Sequence, residues 1–211
     1  RSHFTELEIC VVESDATAAR PDMLIRWLDF LPILEKWRAT YCNLSKQEKL
    51  TKEINGLYFR ELRVPRIFED SCFISLAKMK THVMTKISCA LKNQFGCIPY
   101  RKKVRYHPWI DDVIVDANLA MKPDFSIVDG IIGLGGTKGP TFGIPIHAGV
   151  VVGGADPVAV DTTCARIMNL NPRSIKHIQE AAKAGIGSTN CAVSGVDLEK
   201  VRRSFQFSRL E

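Results

Sequence analysis

The stretch between Asp70 and Asp111 gathers the side chains best suited to chemistry. Lys78, Lys80, His82, Lys86, Cys89, Lys92, Asn93, Arg101, Lys102, Lys103, Arg105 and His107 all fall in it, and no Asp or Glu does. Lysine ammonium groups hold phosphate or carboxylate as point charges, and histidine moves protons near neutral pH. Lys78, Lys80, Lys92 and Asn93 are therefore candidate ligand-binding side chains, with His82 and His107 as candidate catalytic acid–base groups. A solvated basic face is the plain alternative. Carboxylates are plentiful elsewhere and excluded only here, which favours a site for a small anionic molecule.

Downstream, Asp129 ends an apolar strand, where a carboxylate is costly unless hydrogen-bonded or paired with a base such as Lys80 or Lys92. It is a third candidate for catalysis, orienting a histidine or touching the ligand; capping the next turn is its simpler role. A glycine-rich run follows from Gly133 to Gly143. Amides at Gly135, Gly136, Gly139 and Gly143 could approach a ligand closely, and Lys138 could add a mobile charge. The run lacks both the Gly-Lys-Ser/Thr ending of a phosphate loop and the spacing of a dinucleotide fingerprint, and taken alone reads first as a surface turn. Asp156, before Pro157, reads mainly as a helix N-cap, and Asp161 on that helix faces either the pocket or solvent. His82, His107, His147, Cys89 and Cys97 show no close paired spacing, so no metal site is expected. Cys89, Cys97 and Cys164 read as small buried residues, with a reactive Cys97 beside the basic run as the alternative.

These residues need a scaffold. The 211 residues, 45% hydrophobic and 25% charged with a net charge of +6, suit one α/β domain spanning the chain. The apolar patterning predicts strands over 8–12, 40–44, 57–64, 72–76, 125–128 and 150–152, with a short one near Ala192. It predicts helices over 21–37 (kinked or ended by Pro32), 85–95, 109–121, 157–168 and 174–184, and a last one from Asp197; 45–52 reads as a polar connection. The expected fold is a mostly parallel central sheet with helices on both faces, in three layers. Its glycine-rich loop lies at strand carboxyl ends, where such sheets gather ligands. On that reading the loops after Leu76, Val128 and Val152 meet at one edge. No apolar run is long enough to cross a bilayer, and Arg1-Ser2-His3-Phe4 lacks a targeting pattern, so a cytoplasmic location without membrane contact is expected. Seven scattered cysteines without a Cys-x-x-Cys pair predict no disulfide.

Several ordered motifs carry a resemblance. They are Ser75-Leu76-Ala77-Lys78-Met79-Lys80-Thr81-His82, Ala90-Leu91-Lys92-Asn93-Gln94-Phe95-Gly96-Cys97-Ile98-Pro99, Tyr106-His107, Asp129-Gly130, Gly139-Pro140 and Asp156-Pro157-Val158-Ala159-Val160-Asp161. Together they resemble the uncharacterised family called domain of unknown function 362, over about Cys72 to Gly187. The resemblance implies a prokaryotic α/β protein, often fused to or partnered with ferredoxin-type iron–sulfur modules, with no settled substrate or cofactor. It adds weight to Lys80, His82, Lys92, Asn93, His107, Asp129, Asp156 and Asp161. Two departures stand out: no cysteine cluster segment for iron and sulfur is present, and the family's opening Lys-Pro-Asn strand is missing, so a fragment or shortened unit is expected.

The leading expectation is an enzyme or binding protein for a phosphate or carboxylate compound. A nucleic-acid surface built on Arg101 to Arg105, with Tyr100, Tyr106 and Trp109 for stacking, is the rival. A metal- or iron–sulfur-associated redox protein is the third reading.

Overall fold

The computed structural model describes residues 7–136 and 142–205. In chain order it contains β1 (Ile9–Glu13), α1 (Pro21–Trp27), α2 (Phe30–Lys36), β2 (Ala39–Asn43), β3 (Lys49–Glu53), β4 (Glu61–Pro65), β5 (Ile74–His82), β6 (Lys86–Ser88), α3 (Ala90–Cys97), α4 (Ile110–Ala120), β7 (Phe125–Gly135), β8 (Ile144–Ile146), β9 (Val150–Gly154), α5 (Pro157–Ile167), α6 (Lys176–Lys183) and α7 (Leu198–Val201).

β1 and β2 form a parallel pair whose crossover is α1 and α2, and β3 and β4 form an antiparallel hairpin. The single helix expected over 21–37 is broken at Asp29, which adopts a left-handed conformation (φ 54°) ahead of α2. Pro32 then falls in the first turn of α2, where its missing N–H leaves no hydrogen bond unmade. The segment expected as a polar connection is partly β3, since a two-stranded ribbon needs little apolar surface to pair.

The main sheet has the order β6-β5-β7, with β8 and β9 side by side along the far edge of β7. It is mixed, not mostly parallel. Only β5 and β7 run parallel within it, and only between them does the chain supply crossover helices, α3 and α4. After Gly135 the chain turns back, and β8 and β9 both run antiparallel to β7. Gly149, at φ +67°, makes the step between them. The expectation of three layers also fails among the described residues: α3 and α5 pack against β5, β7 and β9 from one side, and α4 and α6 stack behind them. The opposite face carries Ile74, Leu76, Phe125 and Val151 in neighbouring register, with Leu76 70% exposed. Trp27 and Leu28 of the α1–α2 unit are likewise uncovered.

The core lies under the helical layer, where Met79, Ile87, Leu91, Ile114, Val128, Val158, Cys164 and Ile178 are buried. Cys89, Cys97 and Cys164 belong to it, as expected. No described helix is long and apolar enough to cross a membrane. No strand forms near Ala192, and Asp197 caps the short α7 through the amide of Glu199 at 3.0 Å.

One buried carboxylate anchors the link between β3 and β4. Asp116 on α4 accepts the amides of Leu57 (2.7 Å), Tyr58 (2.9 Å) and Phe59 (2.7 Å). A Cβ at Gly56 would lie 2.6 Å from that carboxyl group, so glycine is required there. The turn delivers Tyr58 and Phe59 against Tyr106 and Trp109 at centroid distances of 5.3 to 5.9 Å. Asp116→Ala is expected to lower stability by about 3 kcal/mol, measured by urea unfolding, because it orphans three donors. A loss under about 1 kcal/mol would mean that water satisfies them equally well.

Candidate functional site

β5 runs on to His82, so Lys78, Lys80 and His82 lie on a strand, not on the loop the sequence suggested. Beyond Lys78 the β5–β7 pairing slips, and Lys80 faces Leu134 instead of continuing the register. The last residues of β5 thus lie beside the described end of the glycine-rich run, and Thr81 Oγ1 donates to Gly136 O at 2.8 Å. After β6, α3 begins at Ala90. Its own N-cap, Cys89, makes no side-chain cap. Asp161, wholly buried on α5, supplies one instead, accepting the amides of Ala90 (2.6 Å) and Leu91 (3.2 Å). This contact fixes the first turn of α3, and with it Lys92, at the end of the sheet where Lys80 and His82 lie.

The electrostatics record the convergence. His82 is buried, and its pKa is pushed down to about 3, first by desolvation and then by the positive charges of Lys92, His107, Lys80 and His177. Lys92 is brought down to about 8, by burial first and Lys80 second. Burial likewise lowers Lys80, and His107 is lowered by burial and then by Lys92. Among the described residues neither Lys80 nor Lys92 makes an ion pair or a hydrogen bond; Lys92 Nζ instead lies 5.6 Å from the Phe95 ring, which His107 also flanks at 6.2 Å. His82 Nδ1 accepts the amides of Met84 (3.2 Å) and Thr85 (3.4 Å), so the neutral ring carries its proton on Nε2 and acts as a hydrogen-bond donor.

His177 and Asp111 join the cluster although neither was singled out from the sequence. His177 is wholly buried on α6, its Nδ1 is 3.1 Å from Asp111 Oδ1, and its Nε2 lies 3.9 Å from Asp161 Oδ2, too far for a hydrogen bond. A neutral ring donating from Nδ1 to Asp111 leaves Nε2 as a buried lone pair with no protein partner among the described residues. Burial raises Asp161 to about 7 against the pull of its two amides. The available hint was a histidine between the core positions Ile175 and Ile178.

Other candidates lie apart from this cluster or are committed elsewhere. Asp129 pairs with Lys78 at 2.7 Å, not with Lys80 or Lys92, and its other oxygen accepts Ile131 N at 2.9 Å; Lys78 and then that amide hold its pKa below the usual value. Lys78 is thereby occupied as well. Asn93 gives its amide nitrogen to Ser75 Oγ (2.9 Å) and Leu76 O (3.2 Å), tying α3 to β5. A Cβ at Gly135 would lie 3.0 Å from Ile146, and one at Gly143 would lie 2.3 Å from Gly135 O, so packing explains both glycines. Lys138 and Gly139 lie outside the described residues. Because β9 runs antiparallel to β7, Asp156 sits at the opposite end of the sheet, where it caps α5 through Val158 N (2.8 Å) and Ala159 N (3.0 Å) and also accepts Ser188 N (2.8 Å).

The basic run after α3 is partly used internally. Lys103 is buried, donating to Ser14 Oγ, Gly96 O (2.7 Å) and Ile98 O (3.1 Å), and Arg105 stacks on Tyr106 at 4.7 Å. Among the described residues, no group of three or more His, Cys, Asp or Glu side chains is arranged to hold a metal ion. A groove of about 710 Å³ lies between β9, α5 and the segment from Cys191 to Val196. Its one carboxylate, Asp156, is already spent on capping, so the groove does not share the chemistry of the cationic cluster.

Fold and cluster together define an α/β protein with a mixed sheet and a group of lysines and histidines at one end of it. The profile of the family described as domain of unknown function (DUF362) matches residues 3–166, and the chain belongs to that family. It is also similar to the "Thylakoid-associated protein sll1697" of Synechocystis sp. (strain ATCC 27184 / PCC 6803 / Kazusa), with 30% identity over 139 residues, or 62% of this chain and 43% of that protein. The chain thus spans less than half the length of that relative. No solved structure matches it.

Burial and the neighbouring cations make His82 an indicator of its own surroundings. In a proton-detected NMR titration its ring is expected to stay neutral well below the ordinary histidine value of 6.5, towards about 3, and to titrate higher in Lys92→Ala. Between those two values the unfolded chain takes up a proton that the folded chain does not, so this residue lowers stability as the pH falls through that window. A wild-type ring titrating near 6.5 would mean that it is neither buried nor surrounded by the cations.

Proposed function

We propose that this cluster binds a small phosphate- or carboxylate-bearing molecule, held by Lys80 and Lys92. One observation carries the reading: two half-buried lysines lie close enough for one to depress the other, and neither makes an ion pair among the described residues. Burying like charges side by side is unfavourable, and a bound anion relieves that cost. The carboxylates that act on them are each engaged by another group: Glu13, which acts on Lys80, accepts the amide of Ser14 at 2.9 Å, and Asp111, which acts on Lys92, is paired with His177 at 3.1 Å.

The neutral side chains suit a reacting ligand. His82 offers an Nε2–H donor to an oxygen of the ligand, a task a neutral imidazole performs without releasing its proton. His107, half-buried and without a hydrogen bond among the described residues, takes the acid–base role. His177 is wholly buried and serves as support, with Asp111 fixing its tautomer at 3.1 Å as a carboxylate does for a catalytic histidine. Asp129 has no part in this arrangement. Nucleic acid is the weaker reading, because Lys103 is buried and Arg105 is stacked within the protein.

Thermal unfolding at low ionic strength tests the proposal. Phosphate, sulfate or a small carboxylate should raise the melting temperature of wild type and of Lys78→Ala, whose lysine is spent on Asp129. Saturation at a hundred times Kd corresponds to about 2.7 kcal/mol. Lys80→Ala and Lys92→Ala should lose most of that increase while unfolding no earlier than wild type without anion, since each removes one of two opposed charges. An equal response from all four proteins would mean that the anions act elsewhere.

A further inference from the structure

Beyond β9 the main sheet stops beside the groove that β9 shares with α5 and residues 191–196. Gly149 N donates to Ile131 O at 3.1 Å, and the β7–β9 register carries that bonding phase on to Val151 with Asp129 and Gly153 with Ile127. The N–H and C=O groups of Val150, Val152 and Gly154 therefore point away from β7, towards the groove. None of them has a hydrogen-bond partner among the described residues. α5 forms the floor: a Cβ at Gly154 would lie 3.1 Å from Val160, and Ala159 and Thr163 line the groove alongside. Residues 191–196 form the far wall, seated on α5 where Cys191 Sγ lies 3.9 Å from Ala159 O. The backbone of that wall likewise makes no hydrogen bond among the described residues.

An edge strand with free backbone groups is a template for one more strand, and this edge already has a floor and a wall. Spread over the roughly 17 Å that five strand residues span, the groove's volume of about 710 Å³ gives a section of about 40 Å², close to the roughly 48 Å² of one strand in a packed sheet. We propose that the groove takes up an extended segment of a partner protein, which pairs with β9 as an added strand and lays uncharged aliphatic side chains over Ala159 and Thr163. Backbone pairing decides the class of occupant, because an apolar small molecule would leave the outward groups of Val150, Val152 and Gly154 unmatched. The floor decides the side chains: the Thr163 hydroxyl already donates to Ala159 O (2.9 Å), and Asp156 is spent on capping α5. The sheet edge of a second copy does not fit, since residues 191–196 stand where its next strand would run. The stretches of this chain outside the described residues, 1–6, 137–141 and 206–211, carry no aliphatic residues at alternate positions, so the segment belongs to another polypeptide.

Calorimetric titration and backbone amide exchange by NMR on the whole chain test the pairing. The probes are lysine-flanked peptides in which threonine alternates with valine, isoleucine or leucine. A bound peptide should slow exchange at Val150, Val152 and Gly154 and leave Val151 and Gly153, already paired with β7, unchanged. Versions N-methylated at one or the other alternate set of amides keep every side chain. The version blocked on its β9 side should bind roughly thirtyfold more weakly for two lost hydrogen bonds. Val152→Pro removes one outward N–H without touching the β7 ladder and should also weaken binding; the methylated peptides decide the matter on wild type if this variant does not fold. Equal binding by all versions would make the groove an apolar pocket and not a pairing edge. No binding by any peptide would remove the proposal. Protection of the same three amides without peptide, in a chain that sediments as a dimer, would assign the edge to a second copy instead.

Discussion

Asp161 reaches from α5 to the first two amides of α3, and the arrangement of the lysine and histidine cluster depends on that contact. A helix start leaves free N–H groups that need acceptors, and Cys89 supplies none. With the Asp161 carboxyl group bound there at 2.6 Å and 3.2 Å, α3 is fixed against α5, Lys92 is directed towards Lys80, and Asp161 comes within 3.9 Å of His177. The cap is therefore a tertiary one, joining residues 71 positions apart in the chain.

The second constraint is the crowding of like charge. Lys80, Lys92, His82, His107 and His177 share a partly dry space, and the chain responds by suppressing protonation. His82 and His177 are held neutral by burial, and Lys92 sits near its own titration point. Two of the imidazoles have their tautomers set by neighbours: backbone amides make His82 a donor at Nε2, and Asp111 makes His177 an acceptor at Nε2. The cluster thus sets two lysines beside a histidine fixed as a donor and a wholly buried histidine fixed as an acceptor.

Much of this was legible in the chain. The acid-free run marked Lys80, His82, Lys92 and His107 as companions, and the cluster contains all four. Asp156-Pro157 announced the start of α5, and Gly185 (φ +75°) the end of α6, because cap chemistry is local. Strand direction was not read correctly. The absence of a helical pattern between Gly135 and Val150 argued for a hairpin, since parallel neighbours need a long crossover, yet the apolar run at 150–152 was expected to lie parallel. That one reversal moves Asp156 to the far end of the sheet. Likewise, glycines expected to expose amides to a ligand at 135 and 143 prove to be required by packing against Ile146 and the facing backbone.

The sequence by itself determined most of the segments that form elements, where α5 starts and α6 stops, and that the middle of the chain must carry excess positive charge, since these follow from propensity, capping and composition over a few residues. Tertiary structure alone decided that Lys78 rather than Lys80 neutralises Asp129, that Asn93 braces β5, that Asp161 caps a helix it does not belong to, and that His177 and Asp111 complete the cluster. Those outcomes depend on register and packing between residues dozens of positions apart, and no local pattern encodes which of several lysines a given carboxylate will meet.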